Sequence, residues 1–136
     1  MIAIRSATAA DRDTTVAIWH ACGLTRPWND PDADFERALR HDASIIIVAE
    51  RQTQIVGTVM TGFDGHRGWI YYLGVAPDQR GCGAARQLLD AACEWLRLRD
   101  CPKVELMLRE GNTAEPLYEH LGWERQDVRV FARWLA

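Results

Sequence analysis

The chain lacks several features, and each absence narrows what it can be. No run approaches the roughly 20 consecutive apolar residues that a membrane-spanning helix needs. The opening stretch MIAIRSATAADRD turns polar within a few residues, which is not the pattern of a secretory signal. Basic excess is missing too: 16 Lys and Arg stand against 19 Asp and Glu, for a net charge of −3 and a pI near 5.8. Neither nucleic acid nor an anionic membrane is an expected partner, because both need a basic surface. The four cysteines, Cys22, Cys82, Cys93 and Cys101, show no paired metal or redox spacing. Without a secretion signal they read as free thiols in a reducing cytoplasm. His20, His41 and His120 share no ligand spacing either, so no metal is expected. There is no repeat, low-complexity tract or linker. What remains is 136 residues, 48% apolar and 26% charged, the balance of one globular domain spanning 1–136.

MIAIR alternates apolar and polar like a short strand. Thr8 with Asp11 three residues on resembles a capping box, and the helix it opens carries Val16, Ile18 and Trp19 and stops at Gly23. RPWNDP is a loop. Asp30 can cap and Pro31 suits the first turn of a second helix through Phe35, Ala38 and Leu39. SIIIVAE and IVGTVMTGF are β-branched runs joined by RQTQ, and WIYYLGV follows the turn DGHRG, so residues 44–75 predict an antiparallel meander. A helix from about Gly81 places Ala85, Leu88, Leu89, Ala92 and Leu96 on one face. KVELML (103–108) is the next strand, a short helix covers about Ala114 to Leu121, and WERQDVRVFARWLA reads as a closing strand. The order β-α-α-β-β-β-α-β-α-β is a mixed α/β sandwich rather than a doubly wound sheet.

The stretch LGVAPDQRGCGAARQLLDAA needs an explanation. Gly81 and Gly83 permit a tight turn and let backbone approach a ligand without a Cβ in the way. The first-turn amides of the helix that follows have no intrahelical acceptors, so they can hold a phosphate, and Arg80 can add charge. The same turn can equally be a plain strand-to-helix connection. A P-loop requires Lys and Ser/Thr after the last glycine, where this chain has Ala84-Ala85-Arg86. A dinucleotide fingerprint belongs after a first parallel strand, not after an antiparallel meander.

Arg80-Gly81-Cys82-Gly83-Ala84-Ala85 resembles the Arg/Gln-x-x-Gly-x-Gly/Ala signature of the GNAT superfamily of N-acetyltransferases. AEPLYEHLGW (Ala114–Trp123) resembles that family's second landmark, and RPWNDP, FDGHRG and YYLGV are similar to segments of small bacterial acetyltransferases. The resemblance implies a GNAT-like fold, with a central, mostly antiparallel twisted sheet. It also implies a splayed slot for acetyl-CoA between the strands at 69–75 and 103–108. The backbones of Leu73, Gly74 and Val75 then hold the pantetheine arm, with Gly74 marking a bulge that opens the slot. The pyrophosphate lies over Gly81, Cys82, Gly83, Ala84, Ala85 and Arg86, beside Arg80. Tyr118 matches the tyrosine that protonates the leaving thiolate. Asn112 resembles an asparagine that contacts the cofactor arm, although it stands one residue too close to Tyr118 and can simply cap. A glutamate base, frequent in members that acetylate protein amino termini, is missing at Leu106 and Met107.

Acetyl transfer to nitrogen requires a neutral amine, because an ammonium, near pKa 10.4 in lysine, has no lone pair. In this family, selection of the acceptor resides in the first helix-loop-helix and the middle turns. Trp28, His66, Tyr71 and Tyr72 are therefore the substrate candidates, with Tyr71 and Tyr72 expected on opposite sides of their strand. Asp64-Gly65 is first of all a turn signal, and Asp30 reads as a cap. The implied function is acetyl-CoA-dependent acetylation of a small primary amine or amino-acid-like metabolite. Protein N-terminal or lysine acetylation, and a non-catalytic acyl-CoA sensor, are the alternatives. Trp69, Trp123 or Trp134 are candidates for a homodimer face.

Overall fold

A computed structural model describes residues Met1–Ala136. The alternation of the amino terminus forms β1 (Ile2–Ser6), and Thr8 then starts a 3-10 turn that leads into α1 (Arg12–Ala21). There the Thr8 amide donates to Asp11 Oδ2 at 2.8 Å, the reciprocal half of a capping box. Asp30 caps α2 (Pro31–Arg40), accepting from the Ala33 amide at 3.2 Å, with Pro31 in the first turn. The meander follows as β2 (Ser44–Arg51), β3 (Gln54–Phe63) and β4 (Gly68–Val75). Next come α3 (Ala84–Arg97), β5 (Val104–Leu106) and α4 (Glu115–His120).

One five-stranded sheet runs β1-β2-β3-β4-β5 in space, antiparallel except for the parallel pair β4–β5. Period-two alternation sends its side chains to two cores. Trp19, Phe35 and Ala38 of α1 and α2 pack with Ile46 and Val48 on one face. Leu88, Leu89 and Ala92 of α3 and Tyr118 of α4 pack with Ile47, Val59 and Ile70 on the other. This is the mixed α/β sandwich expected from the element order.

Two expectations are corrected. The strand placed at 103–108 is only three residues long. WERQDVRVFARWLA forms no strand: beyond Trp123, whose amide donates to the Tyr118 carbonyl at 2.9 Å, the segment makes no backbone–backbone hydrogen bond. A strand pattern needs an edge to pair with, and three residues of β5 offer almost none, so Phe131 and Leu135 stay exposed.

Candidate active site

Parallel pairing of β4 with β5 covers only Gly68–Val104, Trp69–Glu105 and Ile70–Leu106. From Tyr71 onward that side of β4 is unpaired, and the two strands part. A cleft of about 1400 Å³ passes through the gap, lined by α2 residues on one face of the sheet and by α4 and the start of α3 on the other.

The bulge that shapes β4 lies at Tyr72 and Leu73, not at Gly74 as expected. Thr58 pairs with Gly74 and Met60 with Tyr71, so one residue of β3 opposes two of β4. Tyr72 takes φ +53°, a left-handed conformation costly for a residue with a Cβ. Several contacts hold it there. Its ring stacks on Trp19 at 3.8 Å and its carbonyl accepts from Thr58 Oγ1 at 3.1 Å. Its hydroxyl donates to Asp34 Oδ2 at 2.7 Å. Because of the bulge, Tyr71 and Tyr72 both face α1 and α2: Tyr71 is paired with Met60, which packs on that core, and Tyr72 packs there directly. Opposite orientations, expected from regular alternation, are thereby corrected. Gly74 has a packing reason instead, since a Cβ there would stand 3.0 Å from Leu24 Cδ1 and 3.1 Å from Cys22 Sγ.

Leu73 and Val75 turn their side chains to the α3 core, leaving backbone toward the cleft. The Val75 carbonyl accepts from Cys22 Sγ at 3.2 Å and from Arg80 Nε at 3.3 Å, so Arg80 folds back over the strand end. Gly81 and Gly83 both adopt left-handed φ, +83° and +86°, and Gly83 is the N-cap of α3 without any capping side chain. The amides of Ala84, Ala85 and Arg86 find no acceptor within the chain. An ideal Cβ on either glycine meets nothing within 4 Å, so the turn is open where an anion would approach. Cys82 lines the same end of the cleft. These features fit a phosphate group.

Tyr118 is buried against the α3 core, with the Trp123 indole edge-on at 5.8 Å. Its hydroxyl has no hydrogen bond within the chain, yet it is not among the fully enclosed polar atoms, so it opens to the cleft. Burial pushes its pKa up to about 12, and the phenol stays protonated. Asn112 accepts from the Ala114 amide at 2.7 Å through Oδ1, a local turn that leaves its NH₂ on the cleft.

Of the substrate candidates, Tyr71 and Tyr72 line the cleft, and Trp28 and His66 do not. Trp28 is 55% exposed and receives the Arg109 guanidinium 5.5 Å from its ring centre, a contact that ties the α1–α2 loop to the segment after β5. His66 lies in the exposed turn, its amide bound to Asp64 Oδ1 at 2.8 Å. Glu105 pairs with Arg67 at 3.7 Å and stays outside the cleft. Sequence reasoning missed Asp34 and Cys22. Asp34 looks like an ordinary acid in a helix's first turn, where the dipole favours it, and nothing local signals a tyrosine 38 positions away.

The profile described as the Acetyltransferase (GNAT) family matches residues 12–123. A protein named acetyltransferase from Yersinia enterocolitica is 46% identical over 133 residues, covering 97% of this chain and 94% of that protein. A predicted acetyltransferase from Clostridium acetobutylicum, solved with acetyl-CoA, superposes with a TM-score of 0.80 at 22% identity, over 98% and 96% of the two chains. The structure of AAC(6')-Iy with a bisubstrate analogue, CoA-S-monomethyl-acetylneamine, has a TM-score of 0.84 at 19% identity, over 100% and 99%. The fold and family are those of acetyl-transferring enzymes. This chain belongs to the GNAT acetyltransferase family.

Proposed function

We propose that the enzyme takes acetyl from acetyl-CoA and passes it directly to a small primary amine bound in the same cleft. One observation carries the reading: a backbone slot on β4, an open amide cradle at α3 and a protonated tyrosine line one continuous cleft. In this reading the amides of Gly81 through Arg86 hold the pyrophosphate, and Arg80 supplies charge beside them. The backbones of Leu73, Gly74 and Val75 run along the pantetheine arm, and the Asn112 amide group faces it. A backbone N–H near Val75 is aimed at the developing oxyanion. The Tyr118 hydroxyl meets the departing sulfur. The structures solved with acetyl-CoA and with a bisubstrate analogue share this fold and support the cofactor assignment. The absence of a carboxylate at Leu106 and Met107, with Glu105 paired to Arg67, favours a small amine over a protein amino terminus.

Isothermal titration with acetyl-CoA, against NAD and ATP as controls, tests the cradle. The expected result is binding of acetyl-CoA alone, lost in Gly83→Glu, which sets a carboxylate, like in charge to the pyrophosphate, at the amides. A folded protein that ignores acetyl-CoA would reduce the turn to a connection.

A further inference from the structure

The cleft has a second end, on the α1–α2 face, on the opposite side of the sheet from Tyr118 and the start of α3. Tyr72 and Asp34 meet there, 38 positions apart in sequence, and both face the cleft. Tyr72 belongs to the stretch of β4 that has parted from β5, where the cleft opens. Asp34 offers two oxygens: Oδ2 accepts from Tyr72 and Oδ1 accepts from Arg37 Nη1 at 3.1 Å. Arg26 and His41 also line this end, and Arg109 faces it from across the cleft. Asp34 is thus the one carboxylate among the cleft-lining residues, bonded to the Tyr72 hydroxyl and to Arg37.

The direction of the Tyr72 hydrogen bond matters. Burial and the neighbouring Asp34 hold the Tyr72 phenol well above its ordinary range, so it remains a donor to Asp34. Its oxygen therefore keeps lone pairs for a donor arriving from the cleft. The stack on Trp19 and the Thr58 bond to its backbone fix that oxygen in place. A strained tyrosine held from three sides, with its acid partner already aligned, is an arrangement that a packing role alone does not require.

Building on the acetyltransfer reading above, we infer that the Tyr72–Asp34 pair receives the acceptor as an alkylammonium and removes its proton. The ammonium N–H donates to Tyr72 Oη. As the proton moves to that oxygen, the phenolic proton moves to Asp34 Oδ2, and the amine lone pair is freed. That lone pair attacks the thioester carbonyl carbon, forming C–N. The C–S bond then breaks. The second N–H proton passes through water in the cleft to the departing sulfur, which accepts a hydrogen bond from Tyr118, and the proton on Asp34 passes to water. One thioester and one ammonium yield one amide, one thiol and one released proton. Tyr72 touches the substrate; Asp34 acts through it as a positioning residue and proton sink.

The test uses the full chain with acetyl-CoA and three probe amines, ethylamine, ethanolamine and glycine, with thiol release followed from pH 6 to 10. Calorimetry with acetyl-CoA on each variant comes first. Failure of the native protein to bind there would sink the acetyltransfer reading, and this inference with it. With binding intact, Asp34→Asn and Tyr72→Phe are each expected to lower kcat/KM for the amine by roughly 100-fold near pH 7, the lower range for loss of a general base. The double variant should lose little more, because the two groups form one relay. The loss should shrink as pH rises toward the amine's own pKa, where free base no longer needs the relay. An equal loss at every pH would reduce Asp34 and Tyr72 to structural parts and overturn the inference. So would a protein that binds acetyl-CoA but acetylates none of the three probes.

Discussion

Replacing Tyr118 by phenylalanine removes one oxygen that makes no hydrogen bond within the chain. Stability should therefore change by no more than about 0.5 kcal/mol. The effect on turnover follows from the acidity that burial imposes. A phenol at about 12 cannot fully ionise toward a thiolate whose conjugate acid lies near 8.5; that transfer is uphill by roughly 5 kcal/mol. The hydroxyl works instead through a charge-assisted hydrogen bond that strengthens as negative charge gathers on sulfur, worth about 1.5–3 kcal/mol. This corresponds to a fall in kcat of roughly 10- to 150-fold. The acetyl-CoA dissociation constant should stay within about a factor of two, because the ground state lacks that charge. The ratio of native to Tyr118→Phe turnover should also stay flat from pH 6 to 10, since the phenol is protonated throughout. Thiol release with a saturating small amine gives kcat, and calorimetry gives the binding constant. Unchanged turnover, or a loss matched by weaker acetyl-CoA binding, would refute the argument.

The remaining predictions concern stability. Arg5 Nη1 bonds Asp11 Oδ2 at 2.7 Å, and the guanidinium also bridges to Glu50. Arg5 holds the Asp11 carboxyl at about 2, below its ordinary 3.8, so this stabilisation is complete above pH ~4 and lost as pH falls through about 2. Arg5→Met should cost about 1–3 kcal/mol at pH 7 in urea unfolding and should flatten the decline of stability across that acid window. Trp19→Phe loses the Nε1 bond to Thr58 Oγ1 at 3.0 Å and part of the stack beneath Tyr72. About 2 kcal/mol of stability should go with it, read as a lower urea midpoint at unchanged slope. Amine turnover should fall with it, as the Tyr72 oxygen loses its support.

Much of this architecture can be read from sequence because its signals are local. The Asp30 cap, the β-branched runs of the meander and the Gly81–Gly83 turn each carry their reason within a few residues. The apolar face Leu88–Leu89–Ala92 announces α3 in the same way. The end of the cleft proposed for the cofactor is legible on those terms, being one strand end and the helix after it. The end proposed for the acceptor is not. Asp34 belongs to a helix start and Tyr72 to a strand, and only the packing of α2 over the sheet brings them to 2.7 Å. The bulge was expected at the glycine, where flexibility is cheapest, yet it sits on a tyrosine because Trp19, Thr58 and Asp34 together outweigh the backbone strain. The closing strand failed for another long-range reason: alternation in WERQDVRVFARWLA shows willingness to pair but cannot supply the edge.

The extra residue in β4 also sets the parity of the strand. Before it, even-numbered Ile70 faces the α3 core; after it, odd-numbered Leu73 and Val75 do, while even-numbered Tyr72 and Gly74 turn to α1 and α2. Deleting one residue at 72 or 73 would restore regular alternation: Gly74 and Val75 would keep their faces and their pairing with Thr58 and Gly57, but no tyrosine would remain beside Tyr71 on the α1–α2 side. The extra residue is thus what turns a second tyrosine to that side. The count of residues between Ile70 and Val75 is as much a part of the active site as their identity.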